Sequence, residues 1–204
     1  VEELWFIEQI TTATHFYDAI KRFIDIVLSL ILIIIFSPLI LLTAILIKFS
    51  SKGPAIYKQK RTGKNNESFT LYKFRTMRIN KPGPSWTEKN DKRLTWLGKI
   101  LRYSHLDEIP QLYNILKNNI SFIGPRPENS ELVEIYKKLP YYEIRHIIKP
   151  GLTGWAQVNY KASASLEEAF EKLQYDIYYI KNRSLVLDFL ILLKTIKYIF
   201  ISHQ

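Results

Sequence analysis

Asp107 and Glu108 stand side by side in the segment Leu101-Arg102-Tyr103-Ser104-His105-Leu106-Asp107-Glu108-Ile109-Pro110-Gln111-Leu112. Adjacent carboxylates at such a point admit two kinds of work. In the first, Asp107 caps the helix that follows and Glu108 offsets its dipole, with Pro110 tolerable in a first turn but not deeper. In the second, the pair binds a hard divalent cation and one carboxylate attacks a phosphorus atom. An aspartyl phosphate intermediate would divide one hard transfer into two easier ones, and the helix N-terminus would help hold the phosphate oxygens.

Cations suited to phosphate lie on either side of this pair. Ser121-Phe122-Ile123-Gly124-Pro125-Arg126-Pro127 brackets Arg126 with prolines, which stiffen the backbone and fix where the guanidinium points. Arginine presents a planar fork of donors matched to phosphate, although a bracketed arginine also suits a plain surface turn. Lys73 and Arg75 belong to a second cluster, Lys73-Phe74-Arg75-Thr76-Met77, and Arg102 lies five residues before Asp107. Lys149-Pro150-Gly151-Leu152-Thr153-Gly154-Trp155-Ala156-Gln157-Val158-Asn159 adds two glycines that permit close backbone approach. Its Trp155 suits a base-stacking platform, a membrane anchor or a core position. Other chemistries have no signature. The chain lacks GxxxxGK[ST], GxGxxG and HExxH motifs and has no cysteine, and its four histidines form no ligand pattern. His105 reads as a helix-surface residue.

The elements that must position these groups begin with a membrane segment. Residues 26–47 carry no charge over 22 positions, between Asp25 and Lys48, which reads as a membrane helix before anything else. Ser37-Pro38 sits near its centre. A mid-helix proline deletes one backbone hydrogen bond at a cost of about 3 kcal/mol, and the Ser37 hydroxyl is a local donor for the freed carbonyl. Lys21 and Arg22 precede the run; Lys48, Lys52, Lys58, Lys60 and Arg61 follow it. Positive residues mark the cytoplasmic side, and here both flanks are positive. A helix that enters, bends at Ser37-Pro38 and leaves on the same face satisfies both ends, which a straight span does not. Asp25 is expected to pair with Lys21 and Arg22 on the same helical face, anchoring the helix at the membrane edge.

Beyond the helix, Pro54–Lys60 and Phe69–Phe74 flank a Gly/Asn-rich turn at 61–66, the pattern of a β-hairpin. Residues 80–92 are polar with two prolines and read as a loop. Helical patterns follow at 94–104, 108–118, 128–138 and 165–181. The segment 185–200 is apolar with Lys194 and Lys197 on one side, as in a helix lying on a membrane surface. The fold class predicted is mostly α with a small β-hairpin: a monotopic membrane protein with a re-entrant helix and a cytoplasm-facing globular domain carrying interfacial amphipathic helices. The segments are an N-terminal stretch 1–16, the membrane helix 17–49 and a catalytic domain 50–204, with 17–200 as one functional unit. A net charge of +10 and a pI near 9.6 call for an anionic partner. Nucleic acid is disfavoured, because dispersed basic clusters beside a membrane helix make a poor backbone-tracking stripe.

Six motifs in order resemble the bacterial sugar transferases, the monotopic polyprenyl-phosphate phosphoglycosyl transferases. They are Lys21-Arg22-Phe23-Ile24-Asp25, Ser37-Pro38, Lys73–Met77, Leu106–Asn114, Gly124–Pro127 and Lys149–Trp155. The resemblance implies a re-entrant helix in the bacterial inner membrane, with the active site on its cytoplasmic face. It implies a Mg²⁺-dependent, two-step reaction that moves a sugar 1-phosphate from a UDP-sugar to undecaprenyl phosphate and releases UMP. Asp107 matches the nucleophile and Glu108 its partner carboxylate, the two also being the candidate metal ligands. Arg102 and Arg126 match phosphate-contacting positions, with Lys73 and Arg75 in support. The lipid bilayer is an expected partner and a homodimer is admitted. Larger members carry an N-terminal extension, of which residues 1–16 would be a remnant. Two rival functions stand beside this one: a nucleotide-sugar hydrolase or phosphatase using the same carboxylates, and a non-catalytic basic protein docked on anionic lipid.

Overall fold

The computed structural model describes residues 15–79, 91–160 and 166–201. The expected N-terminal stretch 1–16 and the loop 80–92 lie almost wholly outside them. Helix α1, His15–Ser50, runs through the whole apolar segment and is long enough, at about 54 Å, to exceed a bilayer core. One face is apolar and exposed along its length, from Phe16 and Phe23 through Ile34, Ile35, Leu41 and Leu42 to Phe49. The opposite face, at Asp25, Ser29, Thr43 and Ile47, is buried against the rest of the chain. Pro38 has no N–H for the Ile34 carbonyl, and the Ser37 hydroxyl donates to that carbonyl at 2.8 Å. The helix therefore passes its proline without an unpaired polar group facing outward.

The N-terminal turns of α1 are fixed differently from the local pairing expected. Asp25 is not ion-paired with Lys21 or Arg22; it accepts hydrogen bonds from Ser121 Oγ and the Phe122 N–H, both at 3.1 Å. Lys21 pairs instead with Asp188, and Arg22 donates to the carbonyls of Ile115 and Leu116 at 2.7 and 2.9 Å. The expectation assumed a helix edge alone in the membrane. The polar groups here have a folded domain alongside them, and each bonds to a different element of it.

Strands β1, Ile56–Thr62, and β2, Ser68–Phe74, form the antiparallel hairpin, paired from Ile56 opposite Phe74 to Thr62 opposite Ser68. Asn65 and Asn66 take left-handed backbone conformations in the turn, which asparagine tolerates. Helices α2, Trp96–Tyr103, and α3, Gln111–Leu116, follow, with a 3₁₀ turn at Leu106–Glu108 between them. Asn114 of α3 is fully buried against the open edge of β2. It accepts from the Tyr72 N–H at 3.0 Å and donates to the Thr70 carbonyl at 2.7 Å, replacing a third strand with one amide.

Strands β3, Ser121–Ile123, and β4, Gly151–Thr153, make a two-residue-wide parallel pair that the sequence reading did not include. A Cβ on Gly151 would lie 2.1 Å from the Gly124 nitrogen, so only glycine lets the two segments meet. Helix α4, Ser130–Tyr136, precedes this pair's second strand; α5, Trp155–Asn159, α6, Leu166–Asn182, and α7, Leu185–Ile201, complete the described chain. The main core joins Leu71, Leu112, Ile115, Ile120, Phe122, Tyr179 and Ile191, with Leu28, Leu32 and Ile33 of α1 packed onto it. A second cluster sets Ile47 of α1 against Phe74, Leu97 and Leu101. Both halves of α1 thus pack on one body. Lys194 and Lys197 of α7 are both exposed, and Lys194 bonds to Asn159 with its Nζ 4.4 Å above the Trp155 ring.

Removing the Asn114 amide leaves the Tyr72 N–H and the Thr70 carbonyl without their buried partners, at about 1–3 kcal/mol each. Asn114→Ala should lose roughly 2–4 kcal/mol in thermal or denaturant unfolding in detergent. Asn119→Ala, which forfeits a single 3.3 Å bond to Asn114, should lose much less.

Candidate active site

The turn that bears the two carboxylates is set by the end of α2. Thr95 caps α2 by accepting from the Gly98 N–H, and its own N–H and hydroxyl both bond the Thr76 carbonyl. Gly98 lies so close that a Cβ there would sit 2.0 Å from that carbonyl oxygen. At the far end His105 takes a left-handed conformation, φ 56°, and reverses the chain into the Leu106–Glu108 turn. His105 is exposed, as expected, but it terminates the helix rather than lying on its surface. Helix α3 begins only at Gln111, after Pro110 and with no side-chain cap, so Asp107 caps nothing. The capping role is absent, and the carboxylates are left for other work.

Two other elements bring cations to that turn. Strand β2 carries Lys73, whose Nζ lies 2.6 Å from Glu108 Oε1. Arg126, between its two prolines, reaches the same oxygen at 3.3 Å. Glu108 is largely buried, which by itself opposes ionisation, but Arg126 and Lys73 outweigh that and hold the carboxyl at about 2. Asp107 is buried too but has no such ion pair among the described residues. Its carboxyl is pushed upward by burial, only partly offset by Lys73, and it accepts no hydrogen bond among the described residues. One carboxylate is neutralised in place; its neighbour is open to the cleft.

That cleft encloses about 1650 Å³. Lys73, Arg102, Asp107, Glu108 and Arg126 line its charged end, and Arg102 is held there by a bond to Thr76 Oγ1. Leu32 and Phe36 of α1 and Leu192 and Tyr198 of α7 line its apolar end. Arg61, counted in the sequence only as a flanking charge, also faces the cleft. Its charge is disfavoured first by burial and then by Arg126.

Arg75 also lines the cleft, but most of its guanidinium is engaged by the chain itself. Its guanidinium donates to the carbonyls of Ile47, Ser51 and Lys52 and to Ser51 Oγ, closing the C-terminus of α1. A cation there satisfies orphan helix carbonyls, so the fork expected to meet phosphate is occupied by the chain itself. Trp155 is likewise a packing residue: it stacks on Tyr178 with ring centroids 5.7 Å apart and has Lys194 above its ring. Among the described residues no cluster of three or more metal-ligating side chains occurs.

Comparison with known proteins was made against this geometry. A family model described as bacterial sugar transferase matches residues 16–202. The chain is 46% identical over 184 residues to a UDP-N-acetylgalactosamine-undecaprenyl-phosphate N-acetylgalactosaminephosphotransferase of Aeromonas hydrophila, covering 89% of this chain and 44% of that protein. It is 38% identical over 187 residues to a UDP-glucose:undecaprenyl-phosphate glucose-1-phosphate transferase of Xanthomonas campestris pv. campestris, covering 89% and 39%. It is 38% identical over 186 residues to an exopolysaccharide production protein of Rhizobium leguminosarum bv. phaseoli, covering 87% and 93%. The chain thus spans less than half the length of the first two relatives and nearly all of the third.

A second buried carboxylate beside Arg126 in sequence gives a pH signature. Burial opposes ionisation of Glu128, but Lys172 and Arg145 outweigh it and hold the carboxyl at about 2, below its ordinary 4.5. A depressed carboxyl stabilises the fold above its unfolded value and loses that contribution as pH falls toward the folded one, here on the order of 3 kcal/mol. Asp176, which shares Arg145 with it, is raised chiefly by burial and acts in the opposite sense, and because the Glu128 charge adds to that rise the variant reports the coupled pair. Thermal melts from about pH 6 to about pH 3 should fall for the wild type. Glu128→Gln should start less stable and fall less steeply.

Proposed function

The chain belongs to the bacterial sugar transferase family, and from that membership and the cleft we propose that it moves a sugar 1-phosphate from a UDP-sugar to a polyprenyl phosphate, releasing UMP. The observation that carries the proposal is the unequal state of two neighbouring carboxylates: Glu108 held by Lys73 and Arg126, Asp107 open to the cleft. Nucleophile and electrostatic partner are thereby separated by environment rather than by residue type.

In the proposed first step an Asp107 carboxylate oxygen attacks the sugar-bearing phosphorus of the donor. A new O–P bond forms as the P–O bond to UMP breaks, leaving an aspartyl phosphosugar. In the second, a phosphate oxygen of the polyprenyl phosphate attacks that phosphorus, the Asp107–phosphorus bond breaks, and a polyprenyl diphosphate sugar leaves. Lys73, Arg102 and Arg126 would offset the charge that accumulates on the phosphoryl oxygens. Glu108, bonded by Lys73 and Arg126, serves to keep the cations in place. The donor set also fits Mg²⁺. Asp107 and Glu108 would supply hard oxygen ligands, the remaining positions being left to substrate phosphates and water, as this ion prefers. When bound it would add further neutralisation of phosphate charge.

The apolar lining of the cleft suits a polyprenyl chain, because part of it comes from α1 and α7, whose outward faces are both rich in exposed Leu, Ile and Phe. We also propose that α1 is re-entrant and that the charged end of the cleft faces the cytoplasm at the bacterial inner membrane. The support is that both ends of α1 are held by one polar body, through Lys21, Arg22 and Asp25 at one end and Arg75 at the other. Both flanks are also rich in positive charge. Asp18→Cys and Lys52→Cys, made singly, should label with an impermeant thiol reagent from the same face of the membrane; labelling from opposite faces would mean a full span.

Wild-type protein given UDP-sugar and Mg²⁺ without lipid should release about one UMP per active site, with a matching gain of one sugar phosphate on a peptide containing Asp107. Asp107→Asn should fold and yet show neither burst nor turnover. UMP release continuing without lipid would instead mark a hydrolase. Release only when both substrates are present would mark direct transfer in a ternary complex.

A further inference from the structure

Pro125 and Pro127 remove two N–H groups from the segment around Arg126, so its remaining backbone chemistry is dominated by carbonyls. Four in succession are bonded from three parts of the fold: β4, β1 and the Tyr142–His146 turn. The Pro125 carbonyl accepts from the Gly151 N–H at 2.9 Å and the Glu128 carbonyl from the Thr62 N–H at 3.2 Å. Between them, the Pro127 carbonyl accepts from Arg61 Nη1 and the Arg126 carbonyl from Arg145 Nη2, both at 3.0 Å. Arg145 is itself buried to 5% exposure, ion-paired with Asp176 at 2.9 Å, 3.5 Å from Glu128 and bonded to the Tyr142 hydroxyl. A buried guanidinium with two carboxylates needs no main-chain acceptor to balance its charge, yet one of its donors is spent on the residue whose side chain holds Glu108.

We infer that Arg145 is a positioning residue for Arg126: it touches no substrate, and fixes the backbone from which the Arg126 guanidinium reaches the dyad and the donor phosphate. The inference rests on the proposed phosphate-binding role of Arg126. Only the planar fork serves the Arg126 carbonyl, Asp176 and Tyr142 at once; lysine keeps the charge and loses that geometry. Displacing a group that aligns a reacting phosphate by even about 1 Å costs rate without unfolding anything.

The test is a double-mutant cycle in detergent with Mg²⁺ and undecaprenyl phosphate, using whichever of UDP-N-acetylgalactosamine and UDP-glucose the wild type turns over. Arg145→Lys should lower kcat/KM between about tenfold and a hundredfold. The amplitude of the lipid-free UMP burst should stay at one per site while its rate falls, because Asp107 is untouched and the protein is folded. In an Arg126→Ala background the same change should cost less than about twofold, since nothing is left to position. Equal losses in both backgrounds, a burst that shrinks in amplitude rather than rate, or full activity of Arg145→Lys would each overturn the inference. Should Arg145→Lys fail to fold, Asp176→Asn, which loosens the same guanidinium, goes through the same cycle with the same two outcomes. Arg126→Ala at wild-type activity would remove the phosphate-binding assignment itself, and the positioning role with it.

Discussion

Lys73 and Arg126 would repel each other across the cleft if Glu108 did not stand between them, and three separate elements take their relative places from that one carboxylate. Lys73 comes from β2, Glu108 from the turn after α2 and Arg126 from the loop after β3. Desolvation is the largest influence on Lys73 and Arg61, with Arg126 a further source of positive charge that disfavours theirs. Buried ion pairs are poor sources of stability, because removing two charges from water costs several kcal/mol per ion before attraction returns it. Breaking one is a different matter, since an uncompensated charge is left behind. Such an arrangement does little to make the protein stable and much to make it specific: hairpin, dyad turn and proline loop have one mutual geometry in which all three charges are satisfied. Asp107 is outside that balance, which keeps it available.

The same economy recurs in how arginine is used. Arg22 caps α3, Arg75 closes α1, Arg61 and Arg145 hold consecutive carbonyls beside Arg126. Each places a permanent cation on main-chain dipoles that secondary structure leaves unfilled. A basic composition therefore overstates how much charge faces a ligand. The +10 balance was read as a sign of an anionic partner, yet part of it is consumed in holding the backbone together.

This explains what the sequence could and could not convey. The hairpin, the long apolar helix, the dyad and the proline-bracketed Arg126 were legible because adjacency, alternation and ring constraints are local properties. Ser37 serving the carbonyl freed by Pro38 was legible for the same reason, since donor and acceptor are three residues apart. That Arg75 holds the end of α1 was not legible, because only the fold brings those carbonyls within its reach. Asn114, Gly98 and Arg145 carried no local signal. Their partners are 42 and 44 residues away for Asn114 and 19 for Arg145, and Gly98 matters through contact with Thr76. Strands β3 and β4 are three residues each, too short for periodicity to register, and are recognisable only through the three glycines that let them touch.

Ser37 and Pro38 are best understood together with the cleft rather than as a bend alone. An unpaired carbonyl facing lipid costs several kcal/mol, so a proline in an apolar helix is admissible only where another donor replaces its missing N–H. Ser37 supplies that donor from within the helix, leaving no demand on the domain and none on water. Phe36, the residue just before this pair, lines the apolar end of the cleft together with Leu32, one turn earlier. The proline of α1 therefore stands next to the residues by which the helix borders the cavity that Asp107 also lines. Both ends of α1 are fastened to the domain, by Asp25 and Arg22 on one side and Arg75 on the other, and the residues either side of Pro38 pack on it through Leu32, Ile33 and Ile40.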